Sequence, residues 1–126
     1  MKDFRKELYL KFGRSRNFIP YYAHVYQEGN YSSFGAFGEL LHDILLNKID
    51  DHKLFLKQCA FIDEICSEQD PEWNNILRME VFSIMNAKEL LKLQPFLSAD
   101  SNKQLEFICR KEQMSTNENR INNQCK

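Results

Sequence analysis

The sequence predicts an all-α protein, a compact single-domain bundle of about six to seven helices. Three observations predict it. Apolar residues recur at three- and four-residue intervals through most of the chain, the period of an amphipathic helix. Only four glycines and three prolines occur, too few turn formers for an all-β fold. Hydrophobic and charged fractions of 43% and 28% in 126 residues are those of one globular domain with a single core.

Each element has its own signal. Residues 3–12 place Phe4, Leu8 and Phe12 at helical spacing behind Asp3, a natural N-cap. "GRSRN" breaks the pattern and "FIPYYAHVYQEGN" restarts it, with Pro20 in a first turn and Gly29 as a stop. A third helix is predicted from Ser32 or Ser33 to about Lys48, with Phe34, Phe37, Leu41, Ile44 and Leu45 inward. Asp50 or Asp51 caps a fourth, to about Ser67, burying Leu54, Phe55, Cys59, Ile62, Ile65 and Cys66. In "SEQDPEW", Asp70 is the N-cap, Pro71 takes the first helical position and Glu72 suits the helix dipole. The fifth helix, Pro71 to about Asn86, is apolar on more than one side, which predicts a central position. A short helix at "AKELLKL" ends at Pro95, and a last one runs from Asp100 or Ser101 to about Gln113. The helical domain is thus expected over 1–114, with 115–126 a flexible polar tail.

One stretch raises a question. "NNILRMEVFSIMN", residues 74–86, is apolar enough to be buried, yet Glu80 falls on its inward stripe of 73, 76, 77, 80 and 84. A carboxylate there persists only if it is paired or strongly hydrogen-bonded.

Several function classes are set aside at this stage. No run is long enough to span a membrane, and "MKDFRKELYLKF" is charged and amphipathic, unlike a signal peptide. A cytoplasmic location is expected, with Cys59, Cys66, Cys109 and Cys125 as reduced thiols. The cysteines form no CxxC pair and stand in no zinc spacing with His24, His42 and His52. "ELLH", Glu39 to His42, has the spacing of a di-iron carboxylate site but lacks the second such pair that chemistry needs. No phosphate loop, nucleophile elbow or Cys/His pairing appears. No catalytic residue, cofactor or metal is expected.

Charge is distributed unevenly. Residues 1–30 carry a net +3, residues 31–80 a net −6 and residues 81–126 a net +2, so a near-neutral chain has an acidic middle. Asp50, Asp51, Asp70 and Glu72 stand at helix starts. Asp63, Glu64 and Glu68 crowd a helix end, where the dipole disfavours negative charge. A partner with a basic surface would account for tolerating these last three, whereas the first four have a local explanation. For each residue a solvated acidic face is the alternative. The competing basic, aromatic N-terminal stretch, with Lys11, Phe12, Arg14, Arg16, Phe18, Tyr21 and Tyr22, has the ingredients of a nucleic-acid surface. Its rings also recur at helical spacing, which core packing explains, and a pI of about 6.3 argues against a dedicated nucleic-acid binder.

The order "YSSFGAFGELLHDIL", "FLKQCAFIDEICSEQDPEWNNILRMEVFSIM", "LQPFL" resembles a group of small all-helical bacterial proteins. These are the immunity proteins of contact-dependent growth inhibition and related polymorphic toxin systems. The likeness lies at residues 31–45, 54–68 and 74–85. It implies a monomer that binds a cognate toxin C-terminal domain, often a nuclease, in a one-to-one complex. Basic toxin domains of that kind would be met by Asp50, Asp51, Asp63, Glu64, Glu68, Asp70 and Glu72, with Tyr31 or Trp73 as anchors. It also places a glutamate where Glu80 stands, which makes Glu80 a structural, buried polar residue. On that reading Glu80→Ala costs about 1–3 kcal/mol. The alternative is a helical adaptor or nucleic-acid-associated protein that uses the basic N-terminal region.

Overall fold

The computed structural model describes the backbone of residues 3–22 and 29–116, and the side chains of 3–21 and 29–108. Among these residues every regular element is helical. The seven α-helices are α1 Phe4–Phe12, α2 Ile19–Tyr22, α3 Asn30–Leu45, α4 His52–Ser67, α5 Pro71–Leu77, α6 Ala87–Leu93 and α7 Ala99–Thr116. A π-helical turn, Arg78–Phe82, continues α5, and a 3₁₀ turn, Gln94–Phe96, continues α6. The all-α bundle read from the sequence is the observed architecture.

The helices begin where side-chain oxygens can cap them. Asp3, Asp51 and Asp70 each accept backbone N–H groups of a first turn, from Lys6, Leu54, and Glu72 with Trp73. Asn86 and Glu89 form a reciprocal capping box on α6, at 2.9 Å in both directions. Gly29 does not end a helix among the described residues. It opens α3, at φ +108°, a backbone region that side chains other than glycine's resist. α3 therefore starts two or three residues earlier than the serines predict, and it ends at Leu45, short of the expected Lys48. α7 extends to Thr116, past the expected Gln113, and residues 117–126 of the predicted tail lie outside the described part.

α3 is the hub of the bundle, packing against α1, α2, α4, α5, α6 and the π turn. The α5–π segment is also central, wedged between α3, α4 and α7 as its two-sided apolarity predicts. Between them lies an aromatic core. Trp73 meets Phe4 at 5.3 Å and Phe34 at 5.5 Å between ring centroids, and Phe12 meets Phe37 at 5.5 Å, all near edge-to-face. Two polar bonds lock the packing. Gln58 Nε2 donates to the Phe37 carbonyl at 3.1 Å, and Tyr9 Oη to Ser33 Oγ at 2.8 Å.

The π turn changes which residues face inward. Ser83 N–H donates to the Arg78 carbonyl at 3.0 Å, a five-residue step. The extra residue displaces everything after it by one position. Trp73, Ile76 and Leu77 are buried as predicted, but Val81 and Met85 replace 80 and 84 on the inner stripe. Ile84 is left exposed and Glu80 half-buried.

Candidate protein-interaction surface

The seven acids predicted to meet a partner have unequal freedom. Asp51 is engaged twice, capping α4 and accepting Asn17 Nδ2 at 2.8 Å. Asp70 caps α5. Asp63 accepts Ser98 N–H at 2.8 Å and Ser101 Oγ–H at 2.6 Å, so it holds the start of α7 from a distant part of the chain. Glu64 lies 3.6 Å from Lys11 Nζ. Asp50, Glu68 and Glu72 remain exposed. Nor do the acids form one face. Asp50 precedes α4 and Glu68 follows it, and a 16-residue helix separates its ends by about 24 Å. The surplus charge at the end of α4 therefore has a structural use in Asp63, which needs no partner to explain it.

At the N-terminal end of α4, sequence reasoning missed a cleft of about 240 Å³. Its aromatic wall is His52, Phe55 and Phe96, with Phe55 and Phe96 edge-to-face at 5.0 Å and His52 stacked on Phe55 at 5.9 Å. Ile44 lines the floor, and Asp50 and Lys92 supply opposite charges. The local chain explains why a ring stays outside. Pro95 lies in the 3₁₀ turn that follows α6, and Phe96, the last residue of that turn, is 43% exposed. The "QPF" sequence was the available signal, since proline after a helix marks where the chain turns away. At the other end of α4 a polar cleft of about 260 Å³ is lined by Cys66, Gln69, Asn74, Asp100, Lys103 and Gln104.

Glu80 is not the buried, hydrogen-bonded group the stripe predicted. Its Oε1 would lie 3.0 Å from a Cβ placed on Gly35. Burial raises its pKa above the ordinary carboxylate value. The buried glutamate is instead Glu89, which completes the α6 capping box and lies 2.9 Å from His42 Nε2. That contact has ion-pair distance without hydrogen-bond alignment, because Nε2 is enclosed and makes no hydrogen bond. "NAKE" carried the capping-box signal in the sequence. Within "ELLH", His42 turns to Glu89 while Glu39 is exposed, so the pair does not converge.

The basic N-terminal region presents few rings to solvent among the described residues. Phe12 and Phe18 are fully buried, and Tyr21 Oη donates to Asp43 Oδ2. Burial first, and then Asp43, raises the Tyr21 pKa. Arg14 and Arg16 are exposed; Tyr22's side chain lies outside the described part. Of the two anchors weighed from the sequence, Trp73 is core and Tyr31 is exposed, its hydroxyl accepting Asn75 Nδ2 at 3.0 Å. Among the described residues no three His, Cys, Asp or Glu side chains gather as a metal site would require, and no helix is long and apolar enough to cross a membrane. No protein-family model, curated protein or solved structure matches the chain.

Proposed function

We propose that this chain is an immunity protein, a non-enzymatic cytoplasmic monomer that neutralises a toxin C-terminal domain by binding it one-to-one. The observation that carries the reading is the cleft at the N-terminal end of α4. An exposed aromatic edge beside a free carboxylate is the pairing that protein interfaces use as an anchor with electrostatic steering. Phe96 and His52 supply the edge and Asp50 the charge. Glu68 and Glu72 are exposed as well, but near the opposite end of α4, about 24 Å from Asp50, where they would meet a partner separately. The segment resemblance points the same way, since the proteins it names act by covering a toxin.

The test is growth of cells that produce the C-terminal domain of the protein encoded immediately upstream, with and without this chain. Rescue by the wild type is expected, weakened when Asp50→Lys and Phe96→Ala are combined. An upstream domain that is harmless, or one that kills regardless of this chain, would overturn the reading. In the purified pair, association should slow as salt rises, because steering between surfaces is screened over about 10 Å at 0.1 M ionic strength.

A further inference from the structure

Two charges in the α4 cleft have no counter-charge among the described residues. Asp50 is exposed and leaves the capping of α4 to Asp51, and neither hydrogen bond nor ion pair reaches its carboxylate. Lys92, also exposed and equally unpaired, stands in the last turn of α6, where the helix dipole favours a cation. Both line the same cleft of about 240 Å³. They form no ion pair with each other, so a carboxylate and an ammonium share one cleft with hydrogen-bonding capacity to spare.

The rest of the cleft is largely apolar. Ile44, Leu45 and Ile49 are partly buried, packed on the core, and line the cleft as well. Phe55 and Phe96 stand edge-to-face at 5.0 Å, and His52 reaches both rings, at 5.9 Å from Phe55 and 6.3 Å from Phe96. Such a wall offers a further ring both edges and faces to pack on. Three parts of the chain build it: the end of α3, the start of α4 and the 3₁₀ turn after α6. Asn47, at φ +61°, turns the chain between the first two. The cleft is smaller than those that take drug-sized ligands, about 300–1,000 Å³. Its scale is that of one large side chain.

We propose that this cleft receives a tyrosine side chain of the protein partner, its ring on the aromatic wall and its hydroxyl between Asp50 and Lys92. The two charges decide the choice. Among side chains with rings, only tyrosine carries a hydrogen-bond donor and an acceptor on one atom. Its O–H can donate to the Asp50 carboxylate while the same oxygen accepts from the Lys92 ammonium, which the flexible lysine stem can bring to it. Phenylalanine would strip water from both charges and return nothing, and the tryptophan N–H could serve only Asp50. A partner's lysine or arginine would meet Asp50 but be repelled by Lys92, and a carboxylate would meet the reverse. Tyrosine is also among the residues that interfaces favour as buried anchors. Tyrosine as occupant rests on the reading of the α4 cleft as the partner's seat, and does not require that the partner be a toxin.

The test titrates the full chain, labelled for amide NMR, with N-acetyl-tyrosinamide and with its phenylalanine and tryptophan counterparts. Saturable shifts are expected at Ile49, Asp50, Phe55 and Phe96. The tyrosine amide should bind about tenfold tighter than the phenylalanine one, the equivalent of one charge-assisted hydrogen bond. Asp50→Ala and Lys92→Met should each narrow that preference, and Phe96→Ala should weaken all three ligands alike. Circular dichroism should match the wild type in each variant, since the three side chains are exposed. The proposal is overturned by equal or tighter binding of the phenylalanine or tryptophan amide, by a preference that survives both charge variants, by shifts centred elsewhere, or by no saturable response. Growth rescue that is weakened by Asp50→Lys with Phe96→Ala, but without tyrosine selectivity, would keep the cleft as the partner's seat and overturn its occupant. Tyrosine-selective binding without rescue would keep the occupant and overturn the toxin reading.

Discussion

Glu80 and Glu89 lie on the same limb of the fold, both against α3, and they are treated in opposite ways. Glu89 is 9% exposed, closes a capping box with Asn86 and faces His42. Glu80 sits on the π turn with no hydrogen bond or ion pair among the described residues, and burial holds its pKa up. The first carboxylate is integrated into the structure and the second is only tolerated by it.

Of the two carboxylates, Glu89 is the one whose loss the fold should feel most. Glu89→Ala removes the bond to the Asn86 N–H and the carboxylate that faces His42, for an expected loss of about 1–2 kcal/mol. Urea denaturation would report it as a lower midpoint at unchanged slope. A loss no larger than that of an exposed-site substitution would remove Glu89 from the structural side.

Next comes the glycine under the π turn. A Cβ on Gly38 would stand 2.5 Å from the Glu80 carbonyl oxygen and 3.0 Å from Val81 Cα, both backbone atoms that cannot rotate away. Gly38→Ala is expected to cost about 1–3 kcal/mol by overpacking, less any gain in helix propensity. Gly35→Ala meets only the mobile Glu80 carboxylate, at 3.0 Å, and should be near neutral or slightly stabilising. Thermal melts of the two variants, run side by side, should separate them clearly.

Asp63→Ala is expected to cost about 1–2 kcal/mol, since it frees the Ser98 N–H and the Ser101 hydroxyl at the head of α7. Amide exchange should quicken at residues 98–102 before it does in α4. Uniform quickening would mean that Asp63 supports the whole core and not one helix start.

The smallest expected change has the opposite sign. Glu80 has a folded-state pKa raised by burial, so its stabilising form is the protonated one. That contribution is present below the unfolded carboxylate pKa and is lost as pH rises through the folded value. Glu80→Gln should therefore stabilise the protein slightly at neutral pH, with the gain vanishing on acidification. A variant less stable than the wild type at neutral pH would mean that the ionised carboxylate is held by contacts within the chain.

Local signals in the sequence were legible because short-range physics decides them. Asp3, Asp51 and Asp70 cap the helices they were expected to cap, and the inward faces of α1 and α4 follow their periodicity. Asp63 was not legible, because its partners lie 35 and 38 residues away. The π turn was not legible either. A stripe drawn through 73, 76, 77, 80 and 84 assumes four-residue hydrogen bonds throughout, and one five-residue step at Arg78–Ser83 reassigns every later position. Val81 and Met85 were in plain view, but only the close approach of Gly38 fixes which of two neighbouring stripes is inside. The α4 cleft required knowing that α6 folds back on the start of α4, a tertiary fact with no local trace beyond Pro95.

The two thiols of α4 turn the core into a clock. Cys59 and Cys66 are buried, and burial pushes their pKa values up to about 12 and about 11. A closed molecule thus offers alkylating reagents almost no thiolate at neutral pH. With Cys109 and Cys125 replaced by serine, the rate of modification counts openings of α4, and reagent concentration sets whether it reads a population or an opening rate. Cys66 adjoins the polar cleft while Cys59 lies about two turns earlier along the helix. A faster Cys66 would time the fraying of α4 and α7, and equal rates would time the unfolding of the whole domain.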